Sequence, residues 1–310
     1  MLDVRRMRVL REVAAQGSFS AAADALSLTQ SAVSQQVAAL EREVGATLVE
    51  RGPRGIRLTD AGEALVRHTD EVLARLRAAE AELQAIAGLR GGRLRLAGFQ
   101  SAGATLVPRA VALFHERHPE VELSMTEAEP EDAVALLKAG SVDIAFTMTW
   151  AGPPREAPDP ALELVDLVVD PYDVVLPKDH PLADAPSLEL ADLAGERWIN
   201  PTERCTCDRV IARACLEAGV EPTIAFRTDE NMAAQAFVAA GVGIALLPRL
   251  ACEPVHPGVV VRPLDRHAPA RIVQAARMAG GYRSPASEAM MQILEDVAEE
   301  FRAAQLQPVS

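Results

Sequence analysis

Apolar positions recur at helical spacing through the first third of the chain and at shorter, strand-like spacing after residue 93. Met7, Leu10, Val13 and Ala14 mark the inner side of a helix over Arg6 to Ala15, closed by Gly17 as a C-cap residue. Ala22, Ala25 and Leu26 share one side of a second, shorter helical pattern, and Phe19 sits just before it, placed to anchor a small core. Val33, Val37, Leu40 and Val44 form a buried stripe on a third helix, which Thr29 is suited to cap and Gly45 ends. Ser27, Leu28 and Thr29 join the second helix to the third. The outer face of the third helix opens with Gln30, Ser31, Ser34 and Gln35, none of them acidic and all short enough to reach a base edge or a phosphate. An uncharged polar N-terminal face braced by a preceding helix is the form of a helix-turn-helix reading head. A plain helical hairpin with a solvated face has the same pattern.

The segment after the third helix shifts the balance toward nucleic acid. Leu48 to Arg51 and Ile56 to Thr59 read as strands around the tight turn Gly52-Pro53-Arg54-Gly55. Arg51, Arg54 and Arg57 lie on or beside that turn, positioned for phosphates or a minor groove. Thr59 or Asp60 caps a helix that runs to about Ala87, some ~40 Å long. Leu65, Thr69, Val72, Leu76, Ala79, Leu83 and Ile86 alternate at spacings of four and three along it, a heptad seam whose expected partner is the same helix of a second copy. Gly88-Leu89-Arg90-Gly91-Gly92 reads as a hinge.

From Arg93 short apolar runs alternate with amphipathic stretches. Strands are expected at Leu94 to Ala97, Val121 to Met125 and Val142 to Met148, with helices at Leu106 to His118 and Glu131 to Ala139. A second set of strands covers Asp173 to Leu176, Arg197 to Asn200, Thr223 to Phe226, Gly243 to Leu247 and Val259 to Arg262. Helices near Asp208 to Ala218 and Asn231 to Ala239 lie among them. Arg271 to Ala276 is a late return strand, and Pro285 to Gln305 a closing helix. This order predicts parallel sheets with helices on both faces, arranged as a two-lobed clamp.

Composition narrows the function. A chain of 310 residues has room for two or three domains. A net charge of −13 argues against coating nucleic acid along the whole length. Residues 1–60 hold eight arginines against seven acids, a net +1, so the other 250 residues carry −14. The amino terminus is charged and amphipathic, and no run approaches the roughly eighteen apolar residues of a membrane span, so a cytoplasmic location and no membrane partner are expected. There is no G-x-S-x-G elbow, phosphate-binding glycine loop or His/Glu metal motif, so neither catalytic residues nor a cofactor are expected. Four cysteines in a long chain of this kind do not imply a disulfide frame. Cys205, Cys207 and Cys215 fall close together, but Cys215 sits on an amphipathic helix as a core thiol would. No histidine stands near Cys205-Thr206-Cys207 at ligand spacing, so a metal is not expected there.

These residues resemble the LysR-type transcriptional regulators. The amino-terminal match lies in Gly17-Ser18-Phe19, Ala22-Ala23, Leu26, Gln30, Ala32-Val33-Ser34, Leu40-Glu41, Gly45, Leu48, Arg51 and Leu58-Thr59-Asp60-Ala61-Gly62. The carboxy-terminal match lies in Leu106-Val107-Pro108, Phe114, His118-Pro119, Gly140, Asp143-Ile144-Ala145 and Gly241-Val242-Gly243-Ile244-Ala245. The resemblance implies an α/β chain with an N-terminal winged helix-turn-helix over 1–60 and a long dimerising linker helix over 61–88. It implies a two-lobed periplasmic-binding-protein-like effector domain, one lobe from 93–165 with 268–305 and the other from 166–267. Homodimers or homotetramers would bind double-stranded promoter DNA, and a small molecule would reset their geometry. The chain departs from the family at Ser31, where Pro is frequent, and at Gln35, where Arg is frequent.

The resemblance places an effector pocket between the lobes. Gln100-Ser101 follows the first strand and opens a helix, so its free N–H groups suit an anion. Asn200 and Thr202 stand in the same relation to the helix near Asp208, and Phe146-Thr147, at the end of the third strand, should line the same cleft. Ser101 and Thr202 are equally placed to be simple N-caps. A carboxylate-bearing metabolite is the effector these helix ends favour. Some regulators of this type sense peroxide through a cysteine pair in this region, which makes thiol-based sensing by Cys205, Cys207 and Cys215 the alternative.

Overall fold

The computed structural model describes residues 2–52, 55–86, 92–152, 157–203, 205–265 and 268–305. Residues 88–91 of the expected hinge, Gly88 to Gly92, and the wing tip, Pro53 and Arg54, lie outside them. Two units form: the first runs to the end of the long helix and also takes in Lys138–Ser141, and the second holds the rest of the chain from the strand after that helix.

In the first unit, local capping sets nearly every boundary. Helix α1 (Val4–Gln16) starts where the Asp3 carboxylate accepts from the Arg5 N–H and ends at Gly17, whose φ of 63° is left-handed. Helix α2 (Phe19–Ala25) starts where Ser18 Oγ accepts from the Ala21 N–H at 3.1 Å. Helix α3 (Gln30–Val44) starts where Thr29 Oγ1 accepts from the Ala32 N–H at 3.2 Å and ends at Gly45. Strands β1 (Val49–Gly52) and β2 (Gly55–Leu58) pair antiparallel. Helix α4 (Asp60–Ile86) follows, with Thr59 Oγ1 accepting from the Gly62 N–H. Glu41 ties the layers together, since its Oε1 accepts from the Leu48 N–H at 2.8 Å and so fixes the approach to β1.

The core of this unit is Leu10, Val13, Ala22, Val33, Val37, Leu40 and Leu48, all nearly inaccessible, with Met7, Phe19 and Leu65 around them. Three expectations need correction. Ala25 is exposed, and Ala23 takes its place in the core, because α2 turns its Ala22–Ala23 edge inward. Val44 is 38% exposed, so the stripe on α3 ends at Leu40. On α4, Leu65 and Thr69 are buried within their own unit, where α1 runs alongside the helix. Beyond that reach of α1, Val72, Leu76 and Leu83 are exposed (36, 47 and 66%).

The second unit is built on one nine-stranded sheet. In chain order it comprises β3 (Arg93–Gly98), α5 (Gln100–Ala104), α6 (Leu106–Arg117), β4 (Glu122–Glu127), α7 (Pro130–Lys138) and β5 (Ile144–Trp150). Then come β6 (Leu162–Pro177), β7 (Arg197–Asn200), α8 (Thr206–Glu217), β8 (Thr223–Arg227) and α9 (Asn231–Ala239). It closes with β9 (Ile244–Pro248), β10 (Val259–Pro263), β11 (Ala270–Met278) and α10 (Pro285–Gln305), with short 3-10 turns at Leu190–Leu193 and Arg249–Cys252. The strand order is β4-β3-β5-β11-β6-β9-β7-β8, with β10 also on β6.

Strand β6 has 16 residues where the sequence pattern predicted only Asp173 to Leu176. Its first part pairs with β11 and its last part with β9 and β10, so one strand serves both lobes. The sheet is also mixed: β3, β4 and β5 run parallel, as do β7, β8 and β9, but every pairing made by β6 and β11 is antiparallel. Each lobe is covered on both faces, as period-two side chains require. In the second lobe Val174, Trp198 and Leu246 enter one cluster while Val175, Ile199 and Ala245 enter the other. The Asp143 carboxylate grips the first lobe's centre, accepting from the Arg95 N–H and guanidinium at 2.8–3.1 Å and so tying β3 to the start of β5.

Candidate DNA-reading face and effector cleft

The residues expected to read DNA lie at the start of α3. Gln30, Ser31 and Gln35 are exposed and Ser34 is half-buried, opposite the inaccessible Val33, Val37 and Leu40. Ser31 Oγ lies 3.0 Å from the capping Thr29 Oγ1, so the serine that stands where proline is frequent supports the helix start. On the wing, Arg57 is exposed and lies directly opposite Glu50 in the ladder, an acid that the motif alone does not bring to notice. Arg51 is on β1 opposite Ile56; its side chain, like all of Arg54, lies outside the described residues.

The second unit contains a cleft with a cavity of about 50 Å³, room for a few water-sized groups. Of the residues expected at the effector, Gln100, Ser101 and Asn200 line it. Phe146, Thr147 and Thr202 do not. Phe146 is fully buried in the first lobe's core, and Met148, on the same face of β5 but nearer the strand's carboxyl end, lines the cleft instead. Thr147 points to the opposite face of β5 and is absent from the lining. Thr202 donates through its N–H and hydroxyl to the Asp229 carboxylate at 2.7 and 2.8 Å, so Asp229 takes the wall position.

Glu129, Tyr172, Cys205, Cys207, Asp229, Glu230 and Arg271 also line the cleft. Most follow a strand's carboxyl end or precede a helix, so the rule that flagged Gln100 and Asn200 would have found Glu129, Asp229 and Glu230 if applied to every strand. Tyr172, on β6, is an exception, and so is Arg271, on β11 in the middle of the sheet. Arg271 is 4% exposed and lies directly opposite Asp170 in the β11–β6 ladder. Its Nε and Nη2 meet Asp170 Oδ2 at 2.9 and 2.8 Å, Nη2 also donates to Ser101 Oγ at 2.6 Å, and the guanidinium lies 4.9 Å from the Phe99 ring centre. Burial pushes the Asp170 carboxyl above its usual range, against the pull of Arg271 and the Leu250 N–H. Gln100 bridges the cleft: its Oε1 accepts from the Asn231 N–H at 3.0 Å and its Nε2 donates to Glu230.

The thiols divide. The Cys205 hydrogen bond lowers the pKa of Cys207 despite its burial, helped by Arg271 and Tyr172, and Cys205 is raised in turn. The Tyr172 hydroxyl borders this sulfur without a well-formed hydrogen bond to any described group. Cys215 is not part of the group: it is buried in the second lobe's core, where burial pushes it up to about 11.

A capped helix pair with a wing, joined to an α/β unit with a polar cleft, defines a ligand-responsive DNA-binding regulator. Residues 4–63 match the profile of the bacterial regulatory helix-turn-helix proteins of the lysR family, and residues 87–299 match that of the LysR substrate binding domain. The chain therefore belongs to the LysR family of transcriptional regulators and carries that family's effector-binding domain. The probable HTH-type transcriptional regulator LrrA of Synechococcus elongatus is 34% identical over 309 residues, 97% of this chain and 99% of that protein. Among solved structures, full-length OxyR from Pseudomonas aeruginosa has a TM-score of 0.70 at 23% identity, covering 96% of this chain and 95% of that one. CbnR, a LysR family regulator also solved with its target DNA, has a TM-score of 0.65 at 22% identity and covers 96% and 99%. Among the described residues no helix is long and apolar enough to cross a membrane.

Proposed function

We propose that α3 enters the major groove of promoter DNA, with Gln30, Ser31, Ser34 and Gln35 at base edges and Arg51, Arg54 and Arg57 along the backbone. The observation that carries this is the exposed, uncharged face at the start of α3, opposite a fully buried stripe. The complex of CbnR with its target DNA supports the reading. On this reading residues 1–60 read DNA, 61–88 join two copies, and 93–165 with 268–305 and 166–267 form the lobes that take the effector. The exposed apolar side chains of α4 are the dimer seam, and pairs of dimers form the tetramer. The protein works by binding rather than catalysis, in the cytoplasm, where the chromosome is.

The test is a pair of substitutions assayed on the gene's own upstream DNA. Arg57→Ala should weaken binding to all fragments alike and lower the salt slope by about one unit. Gln30→Ala should relax preference at one base position, a cost of about 1–3 kcal/mol on the preferred sequence only. Uniform loss from both variants would contradict the assignment of α3.

A second reading of the cleft rests on the Cys205–Cys207 pair, both in the lining, where the hydrogen bond from Cys205 and the nearby Arg271 hold the Cys207 thiol below its usual range. A peroxide would convert that thiolate to a sulfenate with release of water. Thiol titration and DNA binding that are unchanged by hydrogen peroxide would remove this reading.

A further inference from the structure

We propose that the cleft selects a small organic cation, a ligand bearing an ammonium or guanidinium group. The inference rests on the cleft being the effector site, and it replaces the carboxylate that the helix ends favoured.

Charge is the first ground. Arg271 is the one basic side chain among the described residues that line the cleft. Its charge is matched by Asp170, and its donors face Asp170, Ser101 and the Met148 sulfur. Glu129, Asp229 and Glu230 remain as carboxylates on the wall, and the one lining cation that acts on Glu129 is Arg271, already paired with Asp170. An anion entering this space meets three like charges and a guanidinium already engaged. The amides of α5 do not reverse this, since that helix has only five residues.

Hydrogen bonding is the second and independent ground. Asn200 is 4% exposed, and its Oδ1 has no hydrogen-bond partner among the described residues. Its Nδ2 faces Asp208 Oδ1 at 3.4 Å, and a carboxylate only accepts, so the unpartnered atom is the acceptor. A buried acceptor without a partner calls for a donor from outside. Gln100 adds a third element. Its neutral Nε2 donates to Glu230, where an ammonium would make a stronger, charge-assisted bond. A cation that displaced it would also release the Gln100 bridge to the start of α9, coupling ligand charge to the closure of the two lobes. Desolvation and the neighbouring Asp229 already push the Glu129 carboxyl up, a strain that a cation beside both would relieve.

The test uses the full-length protein with five probes: ethanolamine, 1,4-diaminobutane and agmatine as cations, succinate as the anion, and 1,4-butanediol as the neutral control. Thermal shift and calorimetry should show saturable stabilisation by at least one cation and none by succinate or butanediol. The cation's affinity should fall tenfold or more in Glu129→Gln and in the double variant Glu129→Gln/Glu230→Gln. Neither side chain is fully buried, so the unliganded melting point reports that the fold is kept. Glu221→Gln, the same loss of charge on an exposed residue outside the lining, should leave the response intact. Stabilisation by succinate or butanediol instead, no response to any cation, or a cation response that survives the double variant would each overturn the proposal. Binding to the upstream DNA is measured on the same preparation. Specific DNA binding without a cation response removes this inference alone, whereas loss of specific DNA binding removes the regulator reading.

Discussion

Gly62 has no room for a methyl group: a Cβ there would stand 2.1 Å from the Leu48 carbonyl oxygen. That contact is where α4 crosses the approach to β1, so the glycine sets how closely helix and wing can meet. Gly62→Ala should lower stability by about 1–3 kcal/mol in urea denaturation, because overpacking against backbone outweighs the ~1 kcal/mol that alanine adds to a helix. A stabilised variant would contradict the close approach. Glu163 gives a residue-scale test with a pH sign. Its carboxylate accepts from Arg277 and Arg283, and the Arg277 hydrogen bond holds it below the usual 4.5. A carboxyl lowered in the folded state contributes stability above pH 4.5 and loses it as pH falls further through the folded value. Glu163→Gln should therefore melt below the wild type near neutral pH, with the gap closing below pH 4.5. A gap independent of pH would show that the two arginines do not act through its charge.

Among the elements, legibility followed the range of the contacts. Thr29, Gly17 and Gly45 act within three or four residues of themselves, so the helices of the first unit could be read from short windows. Strand β6 could not. Asp166, Asp170 and Asp173 break its apolar run, and the groups that receive them, Gln274, Arg271 and Arg249, lie between 76 and 108 positions away. The same distance hid the cleft's centre: Gln100 and Asn200 stood out as strand-end residues, while Tyr172 and Arg271 looked like ordinary strand positions. The Arg271–Asp170 pair also joins β11 to β6 at the strand both lobes share. Arg271→Met should cost about 3–5 kcal/mol, since it leaves the Asp170 charge buried and unmatched. Combining it with Asp170→Leu should recover part of that loss. A double variant no better than the single one would show that packing, not charge, sets the cost.

At the level of the whole molecule, the proposed dimer would set two reading heads on one DNA site. Leu76 and Leu83 are large apolar side chains left exposed along α4, on the surface proposed to meet the same helix of a second copy. Leu76→Glu with Leu83→Glu should shift sedimentation to the monomer and weaken DNA binding together. An unchanged oligomer would move the interface elsewhere. The charge distribution fits this division, with a net +1 on residues 1–60 and −14 on the rest, so the acidic unit is repelled by the duplex that the first unit approaches. The most direct measurement titrates the full-length protein against its own upstream fragment and a scrambled fragment of equal length at two salt concentrations. A LysR-type reading head predicts preference for the upstream fragment by about a thousandfold or more at physiological salt, with affinity falling steeply as salt rises. Equal affinity for both fragments, or none for either at low salt, would contradict it.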